Sequence, residues 1–210
     1  CTAVLARPPR FGARPQAVDA DGARQVRGVL DVIPVGDAVA VCAESTWSAL
    51  QGRDALKISW SEGSHPNLND EAVTTELMAK LDGPAAVAED AGNAAEALSA
   101  AATVVESVYA VPYVAHAQLE PTNCTAHVEK DRCRIWAPTQ GQTAAQDEGA
   151  RRCGLPPAKV EVMTTPCGGG FGRRGEIEVV TEAVTLSKAL KRPVKVVWTR
   201  GDEFAHDVFR

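Results

Sequence analysis

The chain has no apolar run approaching the ~20 residues that cross a bilayer, so no transmembrane helix is expected within its 210 residues. It also lacks a surplus of positive charge. Lys and Arg total 22 against 27 Asp and Glu, a net charge of −5. Phosphate binding along a nucleic acid needs a basic face, and the basic residues that cluster are two pairs, Arg151/Arg152 and Arg173/Arg174. Nucleic acid is therefore not an expected partner. A secretory leader is missing too: Cys1-Thr-Ala-Val-Leu-Ala6 has neither a basic start nor a long apolar stretch. The initiator methionine is absent, so the chain is expected to be a piece of a longer protein, and the missing leader says nothing about that parent. The six cysteines (Cys1, Cys42, Cys124, Cys133, Cys153 and Cys167) form no C-x-x-C, and no histidine stands at zinc-finger spacing. Cys124 and Cys133 flank a hairpin, but a turn centred on Lys130-Asp131 sets Cys133 against Val128. The cysteines are read as small, mostly buried residues.

What is present is ordinary for a soluble globular chain: 45% apolar and 23% charged residues, and enough length to bury a core in one or two domains. Thr2–Ala6 reads as a strand ended by Pro8-Pro9. Val29–Ile33 and Ala38–Cys42 are strands joined by the turn composition Pro34-Val-Gly-Asp37. Residues 47–56 have helical spacing, with Ser45 or Thr46 to cap them, and Leu56–Trp60 alternates as a strand. The polar stretch 61–69 reads as a linker, 70–81 and 94–101 as helices, 83–92 as a small-residue loop, and Thr103–Val111 as a long strand. A hairpin follows over 123–129 and 133–137. Then come a helix over 143–153 closed by Gly154, a strand over 159–163, a helix over 176–190 and a strand over 193–198. The class is α+β.

The richest stretch is Thr164-Thr-Pro-Cys-Gly-Gly-Gly-Phe-Gly-Arg-Arg-Gly175. Gly170, Gly172 and Gly175 fit the G-x-G-x-x-G spacing of dinucleotide-binding loops, where bare backbone approaches a pyrophosphate. Asp202 or Glu203 would then serve the ribose. Three features weaken that reading. The first glycine comes late after the strand, Phe171 and two arginines fill the variable places, and ~100 residues of other structure precede the unit. No Gly-Lys-Ser/Thr follows, so the loop is not a P-loop. A glycine-rich turn kept only for its backbone conformation is the plainest alternative. A loop whose bare backbone approaches another polar cofactor, with Phe171 as an apolar ring in the site, is the remaining one.

Four stretches, in order, carry a family resemblance: Val111-Pro-Tyr-Val-Ala-His-Ala-Gln-Leu-Glu-Pro-Thr-Asn-Cys-Thr-Ala126, Trp136-Ala-Pro-Thr-Gln140, Cys167-Gly-Gly-Gly-Phe-Gly-Arg-Arg174 and Pro193-Val-Lys-Val-Val-Trp-Thr-Arg200. Together they resemble the molybdenum-binding subunit of the xanthine dehydrogenase/aldehyde oxidase family. Within that family they resemble the isoquinoline 1-oxidoreductase branch and its membrane-linked aldehyde dehydrogenase relatives. The resemblance implies a small hammerhead α/β module over residues 1–60, a connector over 61–92, and part of the first molybdenum-cofactor-binding domain over 93–210. It also implies a molybdenum ion on a pterin, with or without a cytosine dinucleotide. The implied reaction oxidises an N-heteroaromatic or aldehyde substrate with water-derived oxygen. Electrons leave to a partner subunit with 2Fe-2S clusters, and the parent is exported to the periplasm or a membrane surface.

By that resemblance Gln140 approaches the metal's oxo group, its amide N–H2 being a neutral donor. Phe171 and Gly172 match the pair at the metal's inner shell, and Gly168, Gly169 and Gly170 shape the approach. Arg173 is a cofactor-binding candidate; it and Arg174 could pair with a cofactor phosphate or with a neighbouring acid. The start of the helix over 176–190 would favour anionic cofactor groups. His116 and Glu120 are assigned buried, hydrogen-bonded roles, and no residue is assigned as a direct metal ligand. Where many relatives carry an acid after the glycine loop, this chain has Gly175 followed by Glu176. The family's general-base glutamate is expected beyond Arg210. The 210 residues alone are therefore expected to fold without holding the cofactor tightly or turning over substrate. A dinucleotide-binding module and a non-catalytic scaffold are the competing readings.

Overall fold

A computed structural model describes residues 1–81 and 83–208. It divides into two compact units, one made of residues 1–66 and 114–208, the other of residues 67–113. The first is built on a seven-stranded mixed sheet of order β3-β4-β1-β9-β6-β7-β8. Its strands are β1 (Thr2–Ala6), β3 (Val29–Val35), β4 (Ala38–Ala43), β6 (Asn123–Val128), β7 (Cys133–Ala137), β8 (Val160–Thr164) and β9 (Val194–Val197). A separate two-stranded ribbon pairs β2 (Pro15–Asp19) with β5 (Lys57–Trp60). β1 pairs with β9 in parallel and β7 with β8 in parallel, while the other neighbours are antiparallel. β1, β3 and β4 thus share one sheet with β6, β7, β8 and β9, while β2 and β5 stand apart from it.

β4 shows why the sheet holds. Its sequence Ala-Val-Ala-Val-Cys-Ala is buried at every position, so it must be covered on both faces. Ala38, Ala40 and Cys42 face the main core, which includes Val180, Ala183, Val184 and Leu186 of α6 (Glu178–Leu190) and Ala145 and Ala150 of α5 (Gln142–Cys153). Val39 and Val41 pack with Ala23 of α1 (Asp21–Gln25), and Ala43 packs with Ala49 of α2 (Thr46–Asp54). Ser45 caps α2 as expected, accepting from the Ser48 N–H at 3.1 Å. Gly154, at φ 80°, closes α5. The hairpin register sets Val128 opposite Cys133, and all six cysteines are free thiols.

The second unit contains α3 (Asp70–Lys80) and α4 (Ala94–Ala100), neither with a buried residue. The strand expected over 103–111 does not form. Its alternation is that of a strand, but a strand needs a neighbour to take its backbone hydrogen bonds, and residues 67–113 hold no other strand among the described residues. Val105 and Tyr109 stand 85% and 90% exposed. Three elements escape the sequence pattern: β2, α1 and α7 (Arg200–Ala205). The last carries a readable signal, a capping box between Thr199 and Asp202. The helix expected from 176 begins at Glu178, behind a 3-10 turn over Arg173–Gly175.

Candidate functional site

The glycine loop leaves β8 at the edge of the sheet and turns sharply before α6. Gly169, Phe171 and Gly172 all have left-handed backbone, at φ 95°, 54° and 101°. Phe171 is the exception among them, since a bulky side chain rarely adopts this region. The residue is 65% exposed, held out by the loop rather than packed beneath it. An added Cβ would force a neighbour to move at two places in the loop. A Cβ on Gly168 would lie 2.6 Å from Glu120 Cβ, and one on Gly170 would lie 2.8 Å from Gln140 Oε1.

Two side chains hold the loop from below. Glu120 Oε2 accepts from the Gly168 N–H at 2.8 Å and contacts Arg174 Nη2 at 3.3 Å, while Oε1 accepts from Asn123 Nδ2 at 2.9 Å. The Glu120 N–H in turn donates to the Gly168 carbonyl at 3.1 Å. Burial raises the Glu120 carboxyl, but the Gly168 N–H, the Asn123 amide and Arg174 outweigh it and leave it below the usual range. Arg174 donates from Nε to the Gly169 carbonyl at 3.2 Å and from Nη2 to the Glu120 carbonyl at 2.6 Å.

Gln140 stands at the end of β7, beside the loop. Its N–H donates to the Arg174 carbonyl at 2.9 Å, and its Oε1 accepts from the Arg174 N–H at 3.2 Å. With the amide oxygen taken, the N–H2 end has no hydrogen-bond partner among the described residues and is left to solvent or a ligand.

Arg173 points the other way. Its side chain is 1% exposed; Nη2 pairs with Glu178 and Nε stands 3.0 Å from Asp207 Oδ1. That second contact is ionic, without hydrogen-bond geometry. The guanidinium also lies 5.1 Å from the Trp198 ring centroid. Of the two roles open to Arg173 and Arg174, pairing with a neighbouring acid is the one observed for both. Asp207 accepts from the His116 backbone N–H at 2.6 Å and lies 3.0 Å from His116 Nδ1. Under the same segment, buried Gln118 donates to Glu203 and to Thr122 Oγ1. Glu203 also accepts from the Thr122 N–H.

Gln140, Gly168, Gly169, Gly170, Phe171 and Gly172 are therefore gathered at one place, and Arg173 lies beneath them. His116 and Glu120 are hydrogen-bonded as expected, though Glu120 is 36% exposed. Asp207 and Gln118 are the members the sequence did not single out, and Glu203 was read there only as a ribose-binding acid. The dinucleotide alternative finds no support in this geometry. α6 starts eight residues after Gly170 instead of at the loop, and Asp202 and Glu203 are engaged as a helix cap and a buried acceptor. Among the described residues, no group of three or more His, Cys, Asp or Glu could hold a metal ion.

Comparison with known proteins gives a consistent picture. The family described as "Molybdopterin cofactor-binding domain" matches residues 80–210. The membrane-bound aldehyde dehydrogenase (pyrroloquinoline-quinone) of Gluconacetobacter polyoxogenes is 32% identical over 97% of this chain and 28% of its own length. Isoquinoline 1-oxidoreductase subunit beta of Brevundimonas diminuta is 27% identical over 99% of this chain and 28% of its own length. The aldehyde oxidoreductase of Desulfovibrio gigas superposes with a TM-score of 0.75 at 18% identity, covering 100% of this chain and 28% of that one. The chain thus spans under a third of the length of these relatives.

Proposed function

Because the chain belongs to the family of molybdopterin cofactor-binding domains, we propose that it forms part of the cofactor-binding portion of a molybdenum hydroxylase subunit. The proposed division is a hammerhead module over 1–60, a connector over 61–92 and part of the first cofactor-binding domain over 93–210. The parent's substrates would be N-heteroaromatic compounds or aldehydes, the classes named in the relatives. Its electrons would pass to a 2Fe-2S partner subunit.

The observation that carries this reading is the cradle itself. Gly168 and Gly170 sit where a Cβ would collide with Glu120 and Gln140, so bare backbone is presented beside one free amide N–H2. Such a surface suits a polar organic cofactor that brings its own metal ligands, and it fits a molybdenum-pterin group. When bound, that group supplies oxygen-transfer and two-electron redox chemistry. The protein supplies position. Gln140, its carbonyl tied by the Arg174 N–H, donates a neutral hydrogen bond without adding charge. Phe171 lays an exposed aromatic ring beside the site and would shed water from it once a ligand and the rest of the parent cover it. Glu120 and Arg174 fix the loop so that its N–H groups need no reorganisation on binding.

At Gly175 an added Cβ would meet nothing within 4 Å. By the family resemblance many purine and aldehyde hydroxylases carry an acid at this place, so the parent's substrate recognition would differ from purine oxidation. The test is metal and pterin analysis of the full-length gene product. Near-stoichiometric molybdenum with a fluorescent pterin is the expected result. A folded, metal-free product from a host that supplies the cofactor overturns the reading. Recovery of a quinone instead, as one relative's name suggests, would replace the redox group.

A further inference from the structure

His116 is more than a buried structural histidine. It is held by two contacts to one carboxylate: its backbone N–H donates to Asp207 Oδ2 at 2.6 Å, and its ring Nδ1 lies 3.0 Å from Oδ1. Both side chains are 7% exposed. Burial pushes the Asp207 carboxyl up. The His116 N–H, the His116 ring and the Val208 N–H outweigh burial and hold it below the usual carboxylate range. Arg173 Nε supplies a positive partner at 3.0 Å. An ionised Asp207 takes the proton-bearing nitrogen of the imidazole, which fixes the Nδ1–H tautomer and leaves Nε2 as an acceptor.

That acceptor is aimed at the loop. Nε2 lies 3.7 Å from where a Cβ would stand on Gly172, and it has no hydrogen-bond partner among the described residues. The next residue, Ala117, adopts left-handed backbone at φ 47°. This conformation is unfavourable for alanine, and it turns the chain between His116 and buried Gln118. A strained residue, a carboxylate-oriented ring and an unused nitrogen converge beside the glycine that bare-backbone contact requires.

We propose that His116, oriented by Asp207, is a ligand-positioning residue of the glycine loop whose Nε2 accepts a hydrogen bond from an N–H of the cofactor seated over Gly172. A pterin, whose ring carries N–H donors, is a ligand of that class. This rests on the cofactor reading above, and the test separates the two.

The first measurement is the 15N spectrum of the histidine rings in the 210-residue chain, with His116 assigned through His116→Asn. Asparagine places an amide N–H near the Nδ1 position, so it keeps the Asp207 bond but lacks Nε2. The expected spectrum has a protonated Nδ1 and an unprotonated Nε2. A ring protonated on Nε2, alone or together with Nδ1, overturns the proposal.

The second measurement compares the full-length wild type with His116→Asn, reading pterin content, the rate of pterin release, and modification of His116 by diethyl pyrocarbonate. Bound pterin should protect His116 from the reagent. The variant should release pterin about tenfold faster, the scale expected for one lost hydrogen bond in a desolvated site. If the wild type is loaded but His116 is unprotected and the variant retains pterin equally, this inference fails alone. If the wild type holds no pterin when the host supplies it, the cofactor reading fails and takes the inference with it.

Discussion

Replacing Glu120 with glutamine should loosen the glycine loop without unfolding the protein. The carboxylate receives the Gly168 N–H at 2.8 Å and Asn123 Nδ2 at 2.9 Å, with Arg174 Nη2 at 3.3 Å. Glutamine keeps one acceptor oxygen and loses the charge. Hydrogen bonds to a charged group contribute roughly 1 kcal/mol more than neutral ones, and two or three are affected. Because the side chain is 36% exposed, solvent screening reduces that sum, leaving about 1–2 kcal/mol acting on the loop. The Gly168 amide should then exchange with deuterium about 5- to 30-fold faster in Glu120→Gln at pH 7. The acid dependence has a definite sign. The folded-state carboxyl lies below its ordinary value, so the clamp is fully present above the ordinary carboxylate range and fades as pH falls through the lowered value. The protection of Gly168 in wild type and variant should therefore converge in acid. Equal protection at pH 7, or a difference that survives complete protonation, would refute the clamp.

Gly170→Ala should place a methyl group 2.8 Å from Gln140 Oε1 and 3.2 Å from Arg174 Cγ. It should displace the Gln140 amide and lower pterin retention in the full-length protein, while the circular dichroism spectrum stays unchanged. Glu148, between α5 and α6, is raised by burial but pulled down to about 2 by Arg151, Arg152 and Thr181. A carboxyl held that low corresponds to roughly 3 kcal/mol. Exposure of the two arginines, 63% and 38%, reduces this to about 1–2 kcal/mol. Glu148→Gln should lose that stability in urea unfolding at pH 7, with the deficit vanishing as pH falls from about 4.5 toward 2. Iodoacetamide at pH 8 should label exposed Cys167 first and half-buried Cys1 more slowly. It should spare Cys42 and Cys133, whose thiols burial pushes up to about 12, until the protein is denatured.

The parts legible in the sequence were those whose causes are local. The Lys130-Asp131 turn fixes which residue faces which in its hairpin, so the pairing of Cys133 with Val128 could be read directly. Gly154 ends α5 because glycine, with no Cβ, adopts the left-handed turn there without strain. Thr103–Val111 had an equally good local pattern, yet no strand forms, because pairing depends on a neighbour that the pattern does not contain. The site divides the same way. Its glycines and Gln140 were visible as a motif. The orientation of Arg173 was not, since it depends on Asp207, 34 residues further on, as well as on nearby Glu178.

His116 shows the consequence most clearly. In the sequence its nearest carboxylate is Glu120, four residues on, and a structural role is the natural reading. Its partner arrives from 91 residues away, just after α7, whose capping box had gone unread. Gln118 and Thr122 depend on that same helix through Glu203. A short C-terminal helix therefore orders the whole segment 116–122, and this segment in turn carries Glu120, which clamps Gly168. The loop's glycines supply access for a ligand, but the elements that make the loop rigid lie outside the motif. Removing α7 should free His116 and Gln118 and weaken the support under Glu120, even though every residue of the glycine motif would remain in place.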